Sequence, residues 1–503
     1  MKQHTVSLQS QGLPKVALVL PNAMAVRNFV ETPVLRLLAE RRDLMAVILT
    51  NSQEDKDRIS HQGAGYLQWA DLRHLTSSRD TSGLAMRVRR LAHMALARAI
   101  LRGKAEFGNL VFRFNHLKGF VGHRQKSRLP AERRLREAMA GNYVDERLGR
   151  PWAGSPTMYG LLYNLYYSNW YSAPTVEAFF DEFCPDLLVL GHVQNEGIRP
   201  YVAAARRRKI PILGIVGSWD QLTTKGPICP GLERLVVQSQ VMRGELVRYH
   251  HVPDERIEVT GWPQMDYYMQ EGVMLPRDVF LRSLGLPAER RLLLFGANTP
   301  RLGPHEPGIA RYLATGVAKN RYGRPCSLVI RPHPRDRDWM ARFGGLHDPP
   351  HVLVQASEMG RLQHLANLLQ HADVLVASSG SICLDAVALD TCVVNLAFDG
   401  DLRVDHFESV RRWYEMEHFA AVVRTGGTRL VEGYDELDSA IVTYLNDPDT
   451  DTEGRKRLRQ EQLEPLDGHA SDRLVFIILR EAVKAASRRS ERASVESLTQ
   501  ARP

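Results

Sequence analysis

Apolar residues recur along the chain at spacings that alternate between strand and helix. Residues 15–20 (KVALVL) form a continuous apolar run closed by Pro21 and Asn22, which predicts a buried strand. Residues 31–42 carry Val34, Leu35, Leu37 and Leu38 at helical spacing, and 44–49 (LMAVIL) form a second apolar run. Strand, helix and strand in this order predict a βαβ unit in a parallel sheet. Apolar runs without alternation fit a sheet that helices cover on both faces. The rhythm breaks at 85–150, is aromatic and helical over 157–183, and then resumes. Strands are predicted at 186–190, 211–216, 235–238 and 257–260, with a helix at 198–208. Gly261, Trp262 and Pro263 close this half, and 270–290, holding Pro276 and Pro287, reads as a loose connection. A second series follows, with strands at 292–295, 327–330, 352–354, 374–377 and 393–396. Helices fit at 360–371, 381–389, 433–445 and 471–487.

The expected fold class is therefore α/β, with two Rossmann-like doubly wound domains facing a central cleft and a basic helical insertion in the first. The expected boundaries are 1–268 (insert about 79–180), 269–465, a helix over 466–487 that crosses back, and a charged tail at 488–503 expected to be disordered. In such sheets ligands bind beyond the carboxyl ends of the strands, so a small-molecule site is expected between the domains.

Charge changes this picture at one place. Of the net +9, residues 85–150 alone carry sixteen basic and five acidic side chains, +11, so the rest of the chain sums to −2. A patch of this kind meets phosphates, on an anionic membrane or a nucleic acid. Leu84, Val88, Leu91, Ala95 and Ala99 fall on one stripe, while Arg87, Arg89, Arg90, Arg98 and Arg102 supply charge, the pattern of a helix lying on a bilayer surface. The alternative is an apolar face packed on the protein with solvated arginines. Phe107, Phe112, Phe114 and Phe120 interleave the basic residues, but no RNA-binding module is visible, which ranks nucleic acid below a membrane. No apolar stretch is long enough to span a bilayer, and the short run at 16–20 has no small-residue cleavage site after it. Five scattered cysteines without a C-x-x-C pair argue against a disulfide framework or a zinc site and fit a reducing cytoplasm.

The candidate chemistry sits at the strand ends. After the strand at 374–377, Ser378, Ser379, Gly380 and Ser381 make a turn of small residues whose open N–H groups suit a phosphate or diphosphate. Asp385, one helical turn on, is placed for a ribose hydroxyl; the plainer reading is that Ser381 only caps a helix. In VIRPHP, Arg331 offers bidentate phosphate contacts and His333 a hydrogen bond or a proton, with Pro332 and Pro334 stiffening the loop. In GSWDQLTTKG, Asp220 is a candidate general base and Lys225 a candidate anion partner, against the alternative of a turn residue and a solvated lysine. Gly261 permits close backbone approach, Asn298 follows the first strand of the second half, and His192 is a lower-ranked base. The Walker A, G-x-G-x-x-G, H-E-x-x-H and G-x-S-x-G signatures are missing. The pairs Asp336/Asp338 and Asp399/Asp401 lie in loops, and no metal or other cofactor is expected.

The segments GSWDQLTTKG, VTGWPQMD, VIRPHP, VASSGSICLDAVALDTCVVNLAFDGD and LDGHASDRL occur in order across about 210–475. In them the chain resembles the GT-B glycosyltransferase superfamily, and within it the bacterial surface-carbohydrate proteins related to CDP-glycerol glycerophosphotransferases. The resemblance implies that Arg331 and His333 hold the donor diphosphate, that Ser378 to Ser381 cradle it, that Asp385 meets the ribose and that the late helix braces the first domain. Those glycerophosphotransferases carry His-Gly where this chain has Trp219-Asp220, which turns the expected donor from glycerol phosphate towards a nucleotide sugar, with Asp220 as base. The expected protein is a cytoplasmic glycosyltransferase, peripheral at the inner face of the membrane, acting on a surface-glycan or lipid-linked acceptor. A CDP-glycerol-type glycerophosphotransferase, a non-hydrolysing nucleotide-sugar 2-epimerase and a non-catalytic glycan- or nucleotide-binding member are the alternatives.

Overall fold

In the computed structural model, residues 12–50, 59, 67–71, 173–224, 228–250, 252–346, 351–356, 362–404 and 409–500 are described. The basic segment 85–150 and Lys225 lie outside them. The first domain contains β1 (Lys15–Leu20), β2 (Met45–Thr50), β3 (Leu67–Asp71), β4 (Leu187–Leu190), β5 (Ile212–Ile215), β6 (Arg234–Val237) and β7 (Ile257–Val259). They form one sheet in the order β3-β2-β1-β4-β5-β6-β7. The second domain contains β8 (Arg291–Gly296), β9 (Cys326–Arg331), β10 (Val352–Val354), β11 (Val374–Ala377), β12 (Cys392–Leu396) and β13 (Arg429–Val431), in the order β10-β9-β8-β11-β12-β13. The pairings are parallel in both. Each sheet reverses its winding beside its own first strand, at β1/β4 and at β8/β11. Crevices form at such switch points.

The strands are apolar throughout because both faces are covered: β2 and β4 are buried at every position. This is the GT-B architecture the sequence leads one to expect. Several local elements differ from the sequence reading. Asn22 does more than end β1, for its side chain accepts from Ala25 N–H at 2.9 Å and starts a helix, Ala23–Val30, directly at the strand end. The connection read as loose holds a helix, Arg277–Ser283, which buries Phe280 and Leu281 and is tied to the second sheet by Arg277 and Asp373 at 3.0 Å.

The last helix corrects the predicted disordered tail. It runs Ala470–Gln500, beyond the expected end at 487. Residues 488–500 contain neither Gly nor Pro, and Arg489 reaches the buried Asp186 at 3.0 Å. The helix packs Leu474, Val475 and Ile478 against Val16, Leu18 and Leu38 of the first domain. Its start is held by Asp266, whose carboxylate accepts from the N–H groups of Ala470 at 3.1 Å and Ser471 at 2.5 Å. Gly261 has φ +86° there, and a Cβ on it would lie 2.4 Å from the Pro465 carbonyl oxygen. Its role is thus to let the outgoing and returning segments touch.

Candidate functional site between the two domains

A cavity of about 240 Å³ opens where the carboxyl ends of the two sheets face each other. Of the residues singled out in the sequence, Arg331, His333, Asn298, Ser378, Ser379, Gly380, Ser381 and Asp385 line it. Asp220 and Gly261 are not on its wall. His192 is buried behind it, its Nδ1 accepting from Gln194 N–H at 3.2 Å and its Nε2 lying 3.0 Å from Gln221 Nε2.

On the second-domain wall, β9 ends at Arg331 and delivers its guanidinium into the cavity. Burial lowers the Arg331 pKa to about 10, which still leaves it charged at neutral pH. His333 Nδ1 accepts from Arg335 N–H at 3.0 Å. Burial, with Arg335 and Arg331 nearby, pushes the imidazole down to about 4. The ring is therefore neutral at pH 7 and carries its proton on Nε2, ready to donate. The turn after β11 has its first backbone hydrogen bond at Cys383 N–H to Gly380 O, at 3.1 Å. Ser381 stands at the N-cap of the helix Ile382–Ala388, and its side chain makes no capping bond there. A Cβ on Gly380 would meet nothing within 4 Å, so the turn borders open space.

Asp385 receives hydrogen bonds on Oδ1 from Gln264 Nε2 at 2.5 Å and Tyr268 Oη at 3.3 Å, both from the segment after β7. Burial raises its carboxyl to about 6, opposed by Arg27 and Arg331.

The first-domain wall brings Met24, Arg27 and Asn28 from the helix at the end of β1, Gly217, Ser218 and Trp219 from the loop after β5, and Gln238 from the end of β6. Asn28 Nδ2 donates to Gly217 O at 2.8 Å and joins the first two. Trp219 packs edge-on to His418 with centroids 4.8 Å apart, and Thr223 Oγ1 lies 3.2 Å from His418 Nδ1, so a second-domain helix holds this loop. Asp220 stands one residue behind the wall, its Oδ1 accepting from Ser218 Oγ at 2.7 Å.

Arg27, Gln238, Glu306 and Arg342 went unnoticed in the sequence. Arg27 has one usable signal, its place in a helix that begins at a strand end. Glu306 and Arg342 have none, because their partners are up to 72 positions away. Glu306 is fully buried at the start of the helix Glu306–Ala318, and burial pushes its carboxyl up to about 7. Among the described residues no group of three His, Cys, Asp or Glu side chains is placed to hold a metal ion. No helix among them is long and apolar enough to cross a membrane.

No family model matches the chain, and no curated protein matches it by sequence. Solved structures do. It is similar to a putative UDP-N-acetylglucosamine 2-epimerase from Listeria monocytogenes, at 13% identity over 92% of this chain and 95% of that one, TM-score 0.50. It is also similar to a glycosyltransferase from Rickettsia africae, at 10% identity over 94% and 99%, TM-score 0.49. A third is the Neisseria meningitidis UDP-GlcNAc 2-epimerase bound to UDP-GlcNAc, at 14% identity over 93% and 100%, TM-score 0.47. At these identities the likeness is one of fold: two doubly wound domains in the GT-B arrangement.

Proposed function

We propose that the protein is a glycosyltransferase that takes a sugar from a nucleoside diphosphate sugar and passes it to a hydroxyl acceptor. One observation carries this reading: among the described residues the cavity wall holds three guanidinium groups, Arg27, Arg331 and Arg335, against a single carboxylate, Asp385. A diphosphate suits that balance, and a positively charged, partly desolvated site stabilises charge building on a leaving diphosphate. Arg331 binds the phosphates, His333 Nε2–H donates to the leaving oxygen, and the Ser379–Gly380–Ser381 turn supplies further donors. His333 acts here as a hydrogen-bond donor rather than as an acid, since it is neutral at working pH. Asp385 receives a ribose hydroxyl.

On the first-domain side the acceptor hydroxyl gives its proton to Ser218 Oγ as the Ser218 proton moves to Asp220 Oδ1, the 2.7 Å bond being the path. The acceptor class, a surface glycan or lipid-linked saccharide, and contact of 85–150 with an anionic membrane rest on the sequence resemblance and the charge of that segment.

The test is a thermal-shift screen against UDP, CDP, GDP and dTDP and their sugars, followed by product analysis. A shift with one diphosphate, and sugar transfer lost in Asp220→Asn, supports the reading. An isomerised nucleotide sugar formed without acceptor replaces it with an epimerase. No shift with any nucleotide, in folded protein, overturns it.

A further inference from the structure

Three strand-end loops bring the phosphate-facing groups to the cavity, and a single buried ion pair joins all three. The carboxylate of Glu306 receives four donors. Oε1 accepts from Asn298 Nδ2 at 3.3 Å and Ser378 Oγ at 3.2 Å. Oε2 accepts from Asn298 N–H at 2.7 Å and lies 3.5 Å from Arg342 Nη2. This ties the loop after β8 to the turn after β11. Arg342 brings in the third. Its Nη1 donates to Asn298 O at 3.1 Å and its Nη2 to Gly303 O at 2.5 Å. It is also paired with Asp336, whose N–H donates to His333 O at 2.8 Å in the loop after β9. The carboxyl so fills its niche that a Cβ on Gly303 would lie 2.2 Å from it.

All four groups around Glu306 are donors. A carboxylate accepts from all four together, whereas an amide keeps the contacts to Asn298 N–H and Arg342 only with its N–H₂ on the other side, where Ser378 Oγ and the Asn298 side chain must turn to accept. Both side chains are deeply buried, with exposures of 0% for Glu306 and 11% for Arg342. A pair built this way is weak evidence for stability, but it fixes one geometry.

We infer that Glu306 and Arg342 are positioning residues for the diphosphate site, holding Asn298, His333 and Ser378 in one register so that the cavity meets phosphates with preset donors. Neither touches the ligand. The inference rests on the nucleotide-sugar reading above. It makes a demand that a merely structural pair does not: the loss on substitution falls on the phosphates of the ligand and not on its nucleoside.

The experiment compares wild type, Glu306→Gln and Arg342→Lys, each checked for folding by circular dichroism and thermal unfolding. Binding is measured for UDP, CDP, GDP and dTDP, and for the nucleoside of whichever binds best. In folded Glu306→Gln the diphosphate binds about tenfold or more weakly and the nucleoside as in wild type. Arg342→Lys, which keeps the charge and loses the fork, behaves alike. Equal affinity in wild type and both folded variants overturns the inference and leaves the nucleotide reading standing. If Glu306→Gln does not fold, Arg342→Lys decides. Loss of folding in both assigns the pair to the domain core and overturns the inference. Wild type binding no nucleotide removes the reading and the inference together.

Discussion

The two walls of the cavity are built differently. Behind the second-domain wall, Asn298, Ser378, Glu306, Arg342 and Asp336 form one connected set that ties its strand-end loops together. On the first-domain wall some hydrogen-bonding capacity is unused. Arg27 Nε and Gln238 Oε1 are buried without a hydrogen-bond partner among the described residues. Buried polar atoms of this kind are uncommon in folded proteins and call for a reason. The difference fits a division of labour. A diphosphate has the same shape in every donor, so its wall can be rigid. Sugar and acceptor hydroxyls complete the other wall when they arrive.

The rigid wall is open to the largest test, because its central carboxyl titrates. Glu306 stands at about 7 in the fold against an ordinary 4.5. Between these values the folded protein holds a proton that the unfolded chain has released. Its contribution is therefore most favourable below pH 4.5, declines as pH rises, and levels off above about 7. The groups facing the carboxyl are Arg342, Asn298 and Ser378, with His305 beside it in sequence and Tyr414 feeling its charge. Relative to Glu306→Gln, wild type should lose about 3 kcal/mol of stability between pH 4.5 and 7.5. Urea unfolding of both proteins across that range measures it. Parallel pH curves would mean that Glu306 does not titrate there, and the idea of a strained, charge-tuned wall would fail.

Arg331 comes next. Arg331→Ala removes the strongest phosphate donor and should weaken diphosphate binding roughly 100-fold, about 3 kcal/mol, at little change in thermal unfolding. Isothermal titration reads the affinity. An affinity unchanged by this substitution would put the diphosphate elsewhere. Arg27→Met tests the opposite wall in the same assay. The substitution keeps an apolar stem packed there but loses one charge facing Asp385 and Arg331, so the expected loss is about tenfold. A loss as large as that of Arg331→Ala would make the two walls equal partners and erase the contrast.

How much of this was legible beforehand follows from sequence distance. The parallel sheets were, because an apolar run flanked by helical spacing is a local signal; β10 and β11 fall at the predicted positions, 352–354 and 374–377. So were the groups at strand ends, since Arg331, His333 and Ser378 to Ser381 stand out as small or polar residues after apolar ones. The supports were not. Glu306 meets Ser378 across 72 positions, and Asp385 meets Gln264 across 121. Asp266, inside a family-like segment, proves to be a helix cap for residues more than 200 positions away. Asp220 looked like a wall residue because it follows a strand, yet the turn shows Ser218 to the cavity and keeps Asp220 one hydroxyl behind it.

The smallest expected effect bears most directly on the unused capacity. Gln238 is 3% exposed, lines the cavity, and donates through Nε2 to Val216 O, which fixes Oε1 as the atom without a donor. Replacing it by Leu removes an unsatisfied acceptor and also leaves the Val216 carbonyl without this donor, so the two changes offset and stability should move by under about 1 kcal/mol. Gln238 carries no charge for the phosphates, so free diphosphate should bind within about twofold of wild type. The nucleotide sugar has a hydroxyl to offer Oε1, and its extra affinity over the diphosphate should fall about fivefold, roughly one hydrogen bond. If Gln238→Leu weakens both ligands alike, Gln238 supports the cavity as a whole. The first-domain wall would then be as rigid before binding as the second, and the asymmetry would belong to hydrogen-bond placement rather than to the ligand each wall receives.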